Sequence, residues 1–197
     1  LPLLAKQTRI ETDLTEDLFT IEPGMPRMKL VVRGSPASMS ATLHAIYSSI
    51  DLIACKPDPK EHFAIPDTTD IMRYSIRNQA REKRALEQLA PTGFTGERGD
   101  QLASVVGSRL VLNFLGTHLP SLRRRGWIVE LEGRISPYME SISFATPVVQ
   151  VADSKDGKWF DIGFDFETSE GTSLSQADIQ LALRKGDSFL EKNGKTY

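Results

Sequence analysis

The chain has 197 residues, 40% hydrophobic and 25% charged, with a formal net charge of −2. That is the balance of a globular protein able to bury a core, and it excludes a polyelectrolyte that binds nucleic acid by bulk charge. The single cysteine, Cys55, excludes an internal disulfide framework and suits a reducing cytoplasm, and no apolar run approaches the roughly 20 residues that span a bilayer.

LPLLAK at the start is too short for a signal peptide and is followed by charge. The chain opens on Leu1 and stops at NGKTY, so it reads as a piece of a longer protein. Residues 1–26 carry Glu11, Asp13, Glu16, Asp17 and Glu22 and end in PGMP; they read as an acidic linker or the tail of a preceding module. RMKLVVRG and SATLHAIYS are rich in β-formers and alternate partly, which predicts a hairpin with a longer loop at SPASM. CKPDPKEH reads as a loop.

The pattern turns helical at DIMRYSIRNQAREKRALEQLA. The spacing predicts a helix over 70–90, anchored by Ile76, Ala80, Leu86 and Leu89 and stopped by Pro91. TGFTGERGD reads as a connecting loop. VVGSRLVLNFLGTHLPSLRRRG predicts a buried helix broken near Pro120, then a short helical turn ending in three arginines. WIVELEGRI predicts a strand with Trp127, Val129 and Leu131 on one face. ATPVVQVAD and KWFDIGFDFE predict two strands joined by a tight DSKDG turn. SLSQADIQLALRKGD predicts a short helix with Ser175 as N-cap and Gly186 as C-cap. SFLEKNGKTY predicts a hairpin on the Asn193–Gly194 turn. Strands and helices do not alternate regularly, so the expected class is α+β, with antiparallel strands and hairpins and two or three packed helices.

Two features invite a functional reading. Arg73, Arg77, Arg81 and Arg84 are spaced to fall on one face of the expected helix, and Arg123, Arg124 and Arg125 form a second cluster. The planar guanidinium fork suits phosphate, so both groups are candidate nucleic-acid contacts; the plainer reading is a solvated face paired partly with Glu82 and Glu87. In KWFDIGFDFE, alternation sends Phe160, Ile162, Phe164 and Phe166 to one face and Asp161, Gly163, Asp165 and Glu167 to the other. A flat strand face does not by itself converge oxygens on a metal or enclose catalytic acids. The acidic face therefore reads as solvated, or as a contact surface for a basic partner through Asp161, Asp165 and Glu167. His44, His62 and His118 share no ligand spacing, and neither a phosphate-loop pattern, a zinc signature nor a nucleophile elbow occurs. Catalytic, cofactor-binding and metal-ligating residues are expected to be none.

Taken in order, YSIRNQAREKRALEQL, VLNFLGTHLPSLRRRGW, WFDIGFDFE and SLSQADIQLALRKGDSFLEKNGK resemble the helicase-associated accessory region that precedes the motor of bacterial Swi/Snf-family helicase-like ATPases. The resemblance covers roughly residues 27–197 and is most specific from WFDIGFDFE onward. It implies a non-catalytic α+β domain at 27–197. It implies a downstream ATPase motor as partner, with ATP and Mg bound there, and double-stranded DNA as a ligand of the whole protein. Membrane partners are not implied, and the setting is cytoplasmic. The family's W-F-D-F pattern maps to Trp159, Phe160, Asp161 and Phe166, which reads as a core strand.

Overall fold

The computed structural model describes residues 19–48, 50–57, 64–153, 160–168 and 173–197. Its elements in order are β1 (Thr20–Pro23), β2 (Arg27–Ser35), β3 (Ser38–Tyr47), β4 (Ile50–Ile53), β5 (Ile65–Pro66), β6 (Arg73–Ile76) and α1 (Gln79–Leu89). After α1 come β7 (Val105–Val106), α2 (Ser108–Asn113), a π turn (Phe114–His118), α3 (Leu119–Arg124), β8 (Ile128–Gly133) and α4 (Ile135–Glu140). The last group is β9 (Ala145–Asp153), β10 (Phe160–Thr168), β11 (Ser173–Leu174), α5 (Gln176–Arg184), β12 (Glu191–Lys192) and β13 (Lys195–Thr196). The class is α+β, as the irregular order of elements predicts: the sheets are mixed, with mostly antiparallel strands.

The β2–β3 hairpin is the centre. Its turn holds only Pro36 and Ala37, with Ser35 paired to Ser38, so the longer loop expected at SPASM is not formed. Period-2 alternation sends Leu30, Val32, Leu43 and Ala45 into the core, each fully buried. β8 lies parallel to β2, and β4 and β7 pair antiparallel with β3, making a five-stranded sheet. Trp127 and Val129 are buried on the same side as expected, with Leu131 packed at the margin. The other face carries matched charges: Lys29 bridges to Glu130 and Arg33 to Glu132.

α2, the π turn and α3 form one run that supplies Val111, Phe114, Leu115, Leu119 and Leu122 to the core. Phe114 meets Phe94 edge to face, with centroids 5.3 Å apart. Pro120 does not break this run. It lacks an N–H and its ring crowds the carbonyl four residues back, and the widened turn just before it accommodates both defects. The TGFTGERGD segment is more than a connection. The Gly99 N–H donates to Ala54 O at 2.8 Å and Gly99 O accepts from Leu43 N–H at 2.9 Å, so this loop is stitched between β3 and the turn after β4.

Beyond β8 the chain adds the short helix α4, which the sequence patterning did not single out, and then a second unit. β9 and β10 pair antiparallel over nine positions, from Phe160 opposite Asp153 to Thr168 opposite Ala145. Ser175 caps α5 by accepting from the Asp178 N–H at 3.2 Å, and Gly186 follows its end at φ +70°, both as predicted. Asn193 and Gly194 turn the last hairpin with φ of +54° and +74°, the left-handed pair a two-residue turn of this kind demands. Trp159, most of DSKDG, most of CKPDPKEH and residues 1–18 lie outside the described residues. Within the segment read as a tail, β1 pairs parallel with β6, so Thr20–Pro23 is built into the fold.

Candidate nucleic-acid interface

The expected helix over 70–90 begins only at Gln79. Asn78 is its N-cap, accepting from the Arg81 N–H at 3.1 Å through Oδ1. Upstream, Arg73–Ile76 is extended and paired on both sides, parallel to β1 and antiparallel to β5. The four arginines at 73, 77, 81 and 84 therefore do not share a helix face. Arg73 projects from β6 and pairs with Glu22 at 2.7 Å. Arg77 is buried. Arg81 and Arg84, three residues apart on α1, share its outer face with Lys83 nearby; all three are exposed. Among the described residues none of the three lies within ion-pair distance of a carboxylate.

Arg77 and Glu82 explain why the stripe divides. Glu82 falls in register with the buried positions Ala85, Leu86 and Leu89, so the helix carries this acid into the core with its side chain fully enclosed. Arg77 meets it fork to fork: Nε donates to Oε1 at 2.8 Å and Nη2 to Oε2 at 2.7 Å. The same guanidinium donates to Lys56 O and Ile53 O, at 2.8 and 2.9 Å. Glu82 also accepts from Tyr47 OH at 2.8 Å and from the Cys55 N–H at 2.6 Å, and the Tyr47 hydroxyl accepts from the Asn78 N–H. Burial alone would raise the Glu82 pKa, but the donors from Arg77, Cys55 and Tyr47 hold it below the ordinary glutamate value. Burial, and donation to Glu82, push the Tyr47 phenol up. This cluster joins β3, the turn after β4, and the start of α1. It is a structural clamp, and it removes Arg77 from any surface role. Its sequence signal was an acid in register with an apolar stripe.

Arg123, Arg124 and Arg125 sit at the C-terminal end of α3, all exposed, where the carbonyl end of a helix favours cations. Arg123 Nη2 donates to Val129 O at 3.3 Å. On β10, Asp165 and Glu167 are exposed, two residues apart as alternation on one face predicts; the Asp161 side chain lies outside the described residues. On the other face, Phe166 is half-buried, whereas Val149 and Val151, opposite Phe164 and Ile162, are 55% and 64% exposed. Among the described side chains, the core thus covers only one end of that strand pair.

The sequence did not disclose a groove of about 250 Å³ between α2 and the last unit, lined by Leu112, Gly116, Phe166, Leu174, Ile179 and Ala182. Asn113 Oδ1 closes one side by accepting from the Ser188 N–H and hydroxyl, and Arg109 pairs with Asp187 beside it. His44 pairs with Asp51 at 2.7 Å, and burial lowers the His118 pKa. Among the described residues no three His, Cys, Asp or Glu side chains converge as metal ligands, and no helix is long and apolar enough to cross a membrane.

No protein-family model, curated protein or solved structure matches the chain.

Proposed function

We propose that this chain is a non-catalytic accessory domain of a bacterial Swi/Snf-type DNA-dependent ATPase, assisting DNA engagement or positioning the motor that follows it. The ATP, the Mg and the catalytic step belong to that motor. The observation that carries the reading is a set of exposed arginines on two elements: Arg81 and Arg84 on α1, and Arg123, Arg124 and Arg125 at the end of α3. All five side chains are exposed, and a guanidinium can fork onto a phosphate; Arg123 also keeps one N–H on Val129 O. The resemblance of the segments in chain order supplies the parent protein.

Fluorescence anisotropy of the chain with a labelled duplex, titrated at two salt concentrations, tests it. Binding that weakens steeply with salt, and weakens further in Arg81→Glu/Arg84→Glu, is the expected result. No binding at low salt, or binding indifferent to both substitutions and to Arg124→Glu/Arg125→Glu, overturns it.

A second reading is favoured by the exposed acids of β10. Asp165 and Glu167 would face a basic surface of the motor or a partner, making the domain an interaction or autoinhibitory module. Deleting the domain should then change the parent's ATPase rate without DNA, and an unchanged basal rate removes that support.

A further inference from the structure

The outer edge of β9 stands apart from the other sheet edges. Among the described residues β9 pairs with β10 on one side and with no strand on the other. β11 reaches only Phe166 and Glu167, so positions 160–165 and their partners form a two-stranded ribbon. Such a ribbon is marginal by itself, whereas three or more strands with an apolar face are stable.

Edge strands are ordinarily guarded by charge, shortness or proline. The central sheet follows that rule. β4 is four residues long and carries Asp51, and β8 carries Glu130 and Glu132. β9 is nine residues long, and its stretch 148–152 reads VVQVA, with no charge at all. Pro147 lies near one end and Asp153 at the other. At the register positions opposite Phe164 and Ile162, Val149 and Val151 stand exposed. A long, uncharged, apolar edge of this kind is a template for another strand.

We propose that β9 pairs with β9 of a second copy of this chain, antiparallel about a two-fold axis centred on Gln150. This register sets Val149 opposite Val151, Val148 opposite Ala152 and Pro147 opposite Asp153. Faces are preserved because residues of like parity oppose each other, so the apolar row runs on through both copies. No like charges meet, and the missing proline N–H falls at the end of the ladder. The product is one four-stranded sheet, β10–β9–β9–β10. The interface is isologous and closed, which consumes both free edges.

Sedimentation velocity of the full 197-residue chain over a rising concentration series reads the pairing. The expected result is a monomer–dimer equilibrium that Val151→Lys shifts to monomer while leaving the far-ultraviolet spectrum unchanged. Register is read in a Cys55→Ser background. Gln150→Cys should cross-link to itself on oxidation, because opposed Cα atoms lie about 4.5–5.5 Å apart. Val148→Cys should not, because its two copies lie about 14 Å apart along the ladder. A chain that stays monomeric throughout overturns the proposal and leaves the edge to a different strand. A dimer indifferent to Val151→Lys, or one cross-linked equally well from position 148, overturns it too.

Discussion

Replacing Arg77 by methionine is the sharpest test of the clamp at the start of α1. The substitution keeps an aliphatic stem and removes the guanidinium. The four hydrogen bonds described above go with it, two to Glu82 and one each to Lys56 O and Ile53 O. Glu82 is then a fully enclosed carboxylate without its counter-charge, still holding Tyr47 OH and the Cys55 N–H. Removing one member of a buried pair costs about 3–5 kcal/mol. That is a large part of the roughly 5–15 kcal/mol by which a domain is stable. For a chain of this size the melting temperature should fall by about 6–20 °C. Denaturant unfolding followed by circular dichroism at neutral pH gives the free energy directly. Arg77→Lys should fall between wild type and Arg77→Met, since an ammonium cannot supply the planar fork. Adding Glu82→Gln to Arg77→Met should recover part of the loss, because the uncompensated charge is gone. A loss for Arg77→Met of under about 1 kcal/mol, the worth of a surface pair, would refute the clamp.

Acid should loosen the same cluster. The folded pKa of Glu82 lies below the ordinary value of 4.5, so its stabilisation is complete above that value and is lost as pH falls from there through the folded pKa. Glu82→Gln should therefore show a shallower fall in stability over that acid window, and a slope equal to wild type would count against the assignment. Gly99→Ala should destabilise by about 1–3 kcal/mol through overpacking, because an added Cβ runs into the Leu43 carbonyl and lies 3.1 Å from Ala54 N; thermal melting reads it, and an unchanged midpoint means the loop is not stitched as described. For duplex binding, each phosphate contact removed at Arg81 or Arg84 should flatten the plot of log affinity against log salt by about 0.9. An unchanged slope in the double variant means those arginines face water.

The local elements were largely legible in the sequence. Alternation placed the β2–β3 hairpin, β8, β9 and β10, because side chains in a strand alternate faces whatever the strand packs against. Ser175, Gly186 and Asn193–Gly194 marked the last helix and hairpin through their own hydrogen-bonding and backbone chemistry. The class followed from the order of these elements.

The arginine stripe was where sequence reasoning and structure parted. A spacing of four, four and three is real in the chain, but periodicity does not say where a helix starts. The Asn78 cap starts it at Gln79, and pairing with β1 and β5 holds Arg73–Ile76 extended. β5 lies only eight to ten residues before its partners, but β1 lies more than fifty residues before its own, so no local pattern contains that pairing. The same holds for Tyr47 and Cys55 closing on Glu82, and for the groove beside α2. The sequence determined which residues could be strand, helix, cap and turn, because those preferences act between near neighbours. Only the tertiary structure decided which arginines are buried and which face water, because burial depends on surfaces brought together from distant parts of the chain.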